Sequence, residues 1–277
     1  MREAQISVID EGGDIVRTFE IITKPGKSRS MSMLSEYFRN ATMDAKCMYN
    51  TANFYIRNTM SGIKKSPEER THSETEVLHD VFTCICRHNE EVWDRALSDT
   101  SASGFVLEAR MHRAFKTYLE YPTEKAWMLS YYTLDVIFKM TKNPVYVRMS
   151  AQTNQRAIRK ATDAWMSYFK ARKAYRRCPA LFTGRPRIPG YLKTQMSVVS
   201  FSNQMSRISQ RGSKLYLSFP KTKATLCLGL PDIYKGLKHV KTEVLPEHGV
   251  FRVLITFDDG AVMPKAPENP KRIIGID

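Results

Sequence analysis

Acidic residues are nearly missing from one long stretch of this 277-residue chain. Residues 150–224 hold 16 Lys and Arg against a single acid, Asp163, while the remainder balances 27 basic with 27 acidic residues. The whole formal charge of +15 therefore sits in that stretch. A solubilising basic face does not normally exclude acids over so long a run. A field this local calls for a polyanion, and nucleic acid is the usual one.

Long apolar runs are missing too. None approaches the roughly 20 residues that a membrane span needs, and the opening MREAQISVIDEGGD is polar and acidic rather than a signal peptide. The expectation is no membrane partner and a cytoplasmic location. Cysteine is scarce, with five residues irregularly spaced, which suits a reducing compartment better than a disulfide framework. No CxxC pair occurs, so His79, Cys84, Cys86 and His88 read as a core thiol and surface histidines rather than a zinc site. Walker, GxSxG and HExxH motifs are absent as well. Aromatics are not scarce: 13 Tyr, 13 Phe and 3 Trp supply packing mass for a folded core.

Periodicity orders the chain. Residues 5–9 and 15–22 read as a strand or hairpin split by EGGD. Leu34, Phe38, Ala41, Ala45, Met48, Ala52 and Tyr55 paint one stripe of a helix over 31–63. Further helices are predicted over 74–97, with Val77, Val81, Ile85, His88 and Val92 on one face, and over 107–120 and 124–140, divided at Tyr121-Pro122. DTSASG (99–104) reads as a loop. A helix from Ala151 to Arg177 turns Ile158, Ala161 and Trp165 inward and stops at Cys178-Pro179. The Pro-rich CPALFTGRPRIPGYLK then runs extended. Beyond Lys193 the period is two, with hairpins turning near Gly212 and at Glu247-His248-Gly249. A Pro-rich linker (260–271) leads to RIIGID.

The candidate nucleic-acid contacts follow from the charge. They are Arg156, Arg159, Lys160, Lys170, Arg172, Lys173, Arg176 and Arg177 on the basic helix, Arg185, Arg187 and Lys193 on the connector, and Arg207, Arg211 and Lys214 on the strands. Arg185 and Arg187 flank Pro186, so their guanidinium forks, suited to phosphate oxygens, ride on a backbone with little entropy to lose. Trp165 could stack a base but reads as core, because it lies on the apolar stripe.

Several segments together resemble the transposon-encoded TnpB family. KCMYNTANFYIRN (46–58) is similar to the family's opening helix. The order Gln155-Arg156, Trp165, Phe169-Lys170 and GRPRIP within 127–191 is similar to its later motifs, and RIIGID to the start of its RuvC-like nuclease domain. Residues 64–120 match poorly and look like an insertion. The resemblance implies an α+β fold: an oligonucleotide-binding-like wedge β-barrel (1–30 and 193–265) interrupted by an α-helical recognition domain (31–192), with 266–277 opening a truncated RuvC, RNase H-like domain. It implies a guide RNA and the target DNA, as an RNA–DNA heteroduplex, for partners. Asp277 alone matches a catalytic, magnesium-holding position, and that chemistry needs several acids. The expectation is therefore a binding lobe with no cofactor of its own, inactive as a nuclease by itself, with Mg belonging to a full-length relative. A nuclease-dead RNA-guided repressor and a plain basic RNA-binding protein are the alternatives.

Overall fold

The computed structural model describes residues 5–9, 14–23, 29–98 and 104–262. In chain order these form strands β1 (Gln5–Ile9) and β2 (Asp14–Thr23), helices α1 (Arg29–Gly62), α2 (His72–Leu97), α3 (Gly104–Thr117), α4 (Tyr131–Met140), α5 (Pro144–Arg148) and α6 (Ala151–Arg177), then strands β3 (Val199–Ser202), β4 (Arg207–Arg211), β5 (Lys214–Ser218), β6 (Thr225–Gly229), β7 (Lys238–Glu247) and β8 (Val250–Val262). The fold is mixed α+β, with two antiparallel sheets. The chain divides into two compact units, one of residues 1–39 and 200–277, the other of residues 40–199.

The first unit holds the sheets, ordered β1-β2-β8-β7-β3 and β4-β5-β6. Alternation builds their core: Phe251, Val253, Ile255 and Phe257 of β8 are all buried, as are Phe19 and Ile21 of β2. Phe19 meets Phe257 edge-on at 5.5 Å and Tyr234 at 5.0 Å. Phe38, in the first turns of α1, packs edge-on against Phe219 at 5.0 Å and Phe251 at 5.8 Å. The two expected hairpins form. Gly212 turns β4 into β5 at φ 58°, and His248-Gly249 turn β7 into β8 with φ of 42° and 83°, both left-handed as a two-residue turn of this kind requires. The expected closed barrel does not form among the described residues, because no strand of one sheet pairs with the other. A period of two specifies strands with one buried face. It does not specify closure, which needs both edges to find partners.

The second unit is helical. Ala45, Met48, Ala52 and Ile56 of α1 are buried, and so are Val77, Val81, Ile85 and Val92 of α2. In α4, six consecutive residues from Thr133 to Phe138 are buried, so this helix is enclosed on every side. The helix expected over 124–140 starts only at Tyr131. Thr123 and Ala126 close a turn instead, by Thr123 N–H to Ala126 O at 3.2 Å and Ala126 N–H to Thr123 Oγ1 at 3.1 Å, and Ser130 Oγ then caps α4 through Thr133 N–H at 3.0 Å. Trp127, placed before the helix rather than in it, still reaches Trp165 at 5.6 Å.

Candidate nucleic-acid interface

Helix α6 changes character along its length. Thr153, Asn154, Ile158, Ala161, Thr162 and Trp165 are buried, yet from Met166 to Arg177 no residue is. That second half carries Lys170, Arg172, Lys173, Arg176 and Arg177 and no acid. Helical spacing puts Lys170, Lys173 and Arg177 on the exposed face begun by Arg156, Arg159 and Lys160. Arg172 and Arg176 instead prolong the line of Ile158, Ala161 and Trp165 beyond the point where the core ends. The end of α6 thus carries cations on two adjoining faces, while Ala171, Ala174 and Tyr175 occupy the other side. Basic residues in a last turn offset the helix dipole by roughly 0.3–1 kcal/mol each, which accounts for Arg176 and Arg177 but not for Lys170 to Lys173. Asp163 is exposed on the same helix, a turn or more from these cations.

All fourteen basic candidates between Arg156 and Lys214 are exposed. Arg159 lies over the Tyr131 ring at 4.4 Å, Arg211 over Tyr216 at 5.6 Å, and Arg207 Nε donates to Gln204 O at 3.3 Å. Among the described residues no carboxylate pairs with Lys160, Lys170, Arg172, Lys173, Arg176, Arg177, Arg185, Arg187, Lys193 or Lys214. In the sheet unit, Arg211 and Lys214 face each other in register at the tip of the β4–β5 hairpin. Like charges directly opposite are unfavourable without an anion nearby.

The connector after α6 is extended but anchored. A 3₁₀ turn, Pro179–Leu181, carries Phe182 back to Tyr175 of α6 at 5.6 Å. Downstream, three polar side chains on one face of α1 grip the backbone. Asn50 Nδ2 donates to Leu192 O at 3.1 Å and Asn50 Oδ1 accepts from Leu192 N–H at 2.8 Å. Asn53 Nδ2 donates to Gly190 O at 3.0 Å and Pro189 O at 3.3 Å, and Arg57 Nη1 donates to Pro189 O at 2.8 Å. The Arg57 guanidinium also sits 5.3 Å from the Tyr191 ring centre. Trp165 donates its indole N–H to Asn53 Oδ1 at 2.9 Å and is wholly buried, so it is core and not a stacking platform.

Asn50, Asn53 and Arg57 are the functional residues that charge counting misses, because they position the cations rather than add to them. Their signal in the sequence is polar residues at i, i+3 and i+7 along an otherwise packed helix. Cys84 is buried, and burial raises its thiol pKa, while His88 Nε2 lies 3.2 Å from Thr117 O and Cys86 Sγ donates to Glu90 at 3.3 Å. Among the described residues no cluster of His, Cys, Asp and Glu is arranged to hold a metal ion, and no helix is long and apolar enough to cross a membrane. Asp277, with the RIIGID segment and the linker before it, lies outside the described residues.

No protein-family model matches the chain, and no curated protein does.

Proposed function

We propose that this protein binds nucleic acid through the sugar–phosphate backbone, as the guide-RNA- and heteroduplex-binding lobe of a TnpB-type RNA-guided DNA nuclease. The observation that carries the reading is the acid-free end of α6, cationic over two adjoining faces, continuing into an Arg-Pro connector that Asn50, Asn53 and Arg57 hold in place. Cations along two adjoining faces of a rod and along an extended strand suit a run of phosphates and 2′-hydroxyls. They do not form the compact set of base-reading side chains that a groove-binding helix presents. Sequence specificity would then come from base pairing with the guide. On this reading the sheet unit takes the place of the family's wedge, with Arg207, Arg211 and Lys214 as backbone contacts. Asp277 would be the first acid of a RuvC-like Mg site whose other acids are not in this chain.

The test is the nucleic acid that co-purifies with the protein, and how its binding responds to salt. One discrete structured RNA species is expected. If about six to ten phosphates are engaged, affinity should fall roughly 10³–10⁵-fold between about 50 and 200 mM salt. Heterogeneous RNA would favour a plain RNA-binding protein, and a flat salt response would overturn the phosphate-contact reading altogether.

A further inference from the structure

The three-stranded sheet turns one aromatic ring to solvent. Leu217 of β5 and Leu226 of β6, paired in register, are both buried, which fixes the inner face. Alternation puts their neighbours Tyr216 and Cys227, also in register, on the outer face, with Ser209 of β4 on the other side of Tyr216. Lys214 precedes Tyr216 on this face, opposite Arg211, and Ser218 follows it, opposite Arg207. These outer residues are exposed or half-buried. Residues 207–230 hold five Lys and Arg and no acid. Arg207 and Arg211 flank the ring along β4, roughly 13 Å apart at the ordinary strand rise.

Internal packing does not account for Tyr216. An aromatic side chain on an open sheet face is normally held by large cross-strand neighbours. Here both neighbours in register, Ser209 and Cys227, are small. The Tyr216 hydroxyl has no hydrogen-bond partner among the described residues. The Arg211 guanidinium lies 5.6 Å from the ring centre, against 4.4 Å for Arg159 over Tyr131, and the exposed Arg211 side chain can swing aside. Arg207 gives one N–H to Gln204 O at 3.3 Å, which leaves its terminal nitrogens to an anion. Arg211 and Lys214, like charges in register, are unfavourably placed until an anion joins them. A duplex keeps its bases stacked on one another and offers this face only phosphates. A single strand offers both parts: an unpaired base for the ring, and phosphates for the cations on either side of it.

We infer that the outer face of β4–β6 is a stacking platform for single-stranded nucleic acid, with an unpaired base on Tyr216 and the adjoining phosphates held by Arg207, Arg211 and Lys214. This rests on the proposal that the protein binds nucleic acid, but on neither a guide nor α6.

Fluorescence anisotropy of the full chain with a short labelled oligouridine tests it, beside the same strand made wholly of abasic units. Tyr216→Ala should weaken oligouridine by about fivefold to a hundredfold, the range for one lost base–aromatic stack. Tyr216→Phe, which keeps the ring, should bind as wild type does. The abasic strand should not distinguish Tyr216→Ala from wild type, because only phosphates are left to hold. Oligouridine carrying 5-iodouridine should crosslink to Tyr216 on irradiation, as mapped by mass spectrometry. That measurement reads the wild-type protein, and it decides alone if circular dichroism shows the Ala variant to be unfolded. Oligouridine binding indifferent to Tyr216→Ala, an equal loss on the abasic strand, or crosslinks that avoid Tyr216 overturn the platform. If RNA binding still weakens when Lys170, Lys173 and Arg177 are replaced by Ala, the phosphate-contact reading of α6 survives that failure. Absence of RNA binding altogether overturns both.

Discussion

The amide of Asn53 joins two helices and the connector: it accepts the Trp165 indole N–H at 2.9 Å and donates to the Gly190 and Pro189 carbonyls at 3.0 and 3.3 Å. Both Asn53 and Trp165 are fully shielded from water. Every polar atom in this knot has a partner, which is the condition under which a buried polar network stabilises rather than weakens a core. It also ties the position of Arg185 and Arg187 to the core, because the residues that follow them cannot leave without orphaning Asn53.

Asn53→Ala should therefore destabilise the second unit by about 3 kcal/mol, the cost of a buried indole N–H left unpaired plus a small cavity. Urea denaturation measures this. Tryptic cleavage after Arg187 should also accelerate in the variant under native conditions. Combined with Trp165→Phe, the losses should fall short of additive by about 0.5–3 kcal/mol, since both changes break one bond. Strict additivity would mean the two side chains act independently.

Asn89 repeats the device, donating to Leu119 O at 3.0 Å and accepting from Leu119 N–H at 2.9 Å, as Asn50 does with Leu192. In each case one side-chain amide satisfies both backbone groups of a residue in an irregular segment, as a neighbouring strand would. Much of the frame around these clamps was legible. The stripes of α1, α2 and α6 and the two hairpin turns follow from local periodicity and turn chemistry. The clamps were not, because their partners lie about thirty and about 140 residues away. Periodicity placed His88 on the buried stripe of α2, whereas the buried residue is its neighbour Asn89. The candidate cations were legible from charge alone. What holds the connector that carries them was visible only once α1, α6 and residues 189–192 had been brought together.

Gly62→Ala should reverse the usual sign of that substitution. In an exposed helix it stabilises by about 1 kcal/mol. Here an added Cβ would stand 2.9 Å from Glu74 Cβ and 3.1 Å from Leu78 Cδ1. The nearer of the two, Glu74 Cβ, is fixed to its backbone and cannot swing aside, so α2 must shift. A loss of roughly 1–3 kcal/mol is expected from overpacking, measured as a lowered melting temperature. A raised melting temperature would mean that the α1–α2 packing yields easily.

Glu74 gives the helical unit an acid-sensitive joint. Burial alone would push its carboxyl up, but bonds from Lys65, Ser61 and Thr71 more than reverse this and hold it at about 2, below the ordinary 4.5. Lys65 Nζ reaches both carboxylate oxygens at 2.8 Å, and Thr71 N–H donates to one at 2.8 Å in a capping box. Between pH 4.5 and 2 the folded state binds fewer protons here than the unfolded state. The contribution is therefore complete above pH 4.5 and is lost as pH falls towards 2. Glu74→Gln should cost about 2 kcal/mol at neutral pH, and the gap between variant and wild type should close across that acidic window. A gap that stayed constant with pH would show that the charge of Glu74 is not what matters.

The end of α6 offers the sharpest separation of binding from structure. Lys170, Lys173 and Arg177 share one exposed face with no carboxylate partner among the described residues. Replacing all three with Ala should leave the melting temperature nearly unchanged, since exposed sites away from packing shift stability by about 0.5 kcal/mol or less. If the three neutralise phosphates, the slope of log K against log salt for RNA binding should become shallower by about 2, at about 0.7 for each phosphate no longer neutralised on single-stranded segments, and by slightly more on duplex. Arg172→Ala with Arg176→Ala, on the adjoining face of the same rod, should reduce the slope by a further 1 to 1.5 or so if nucleic acid spans both faces. An effect confined to the first set would make α6 a one-faced binding surface. No effect from either set would place the nucleic acid elsewhere and leave the charge of α6 without a role in binding.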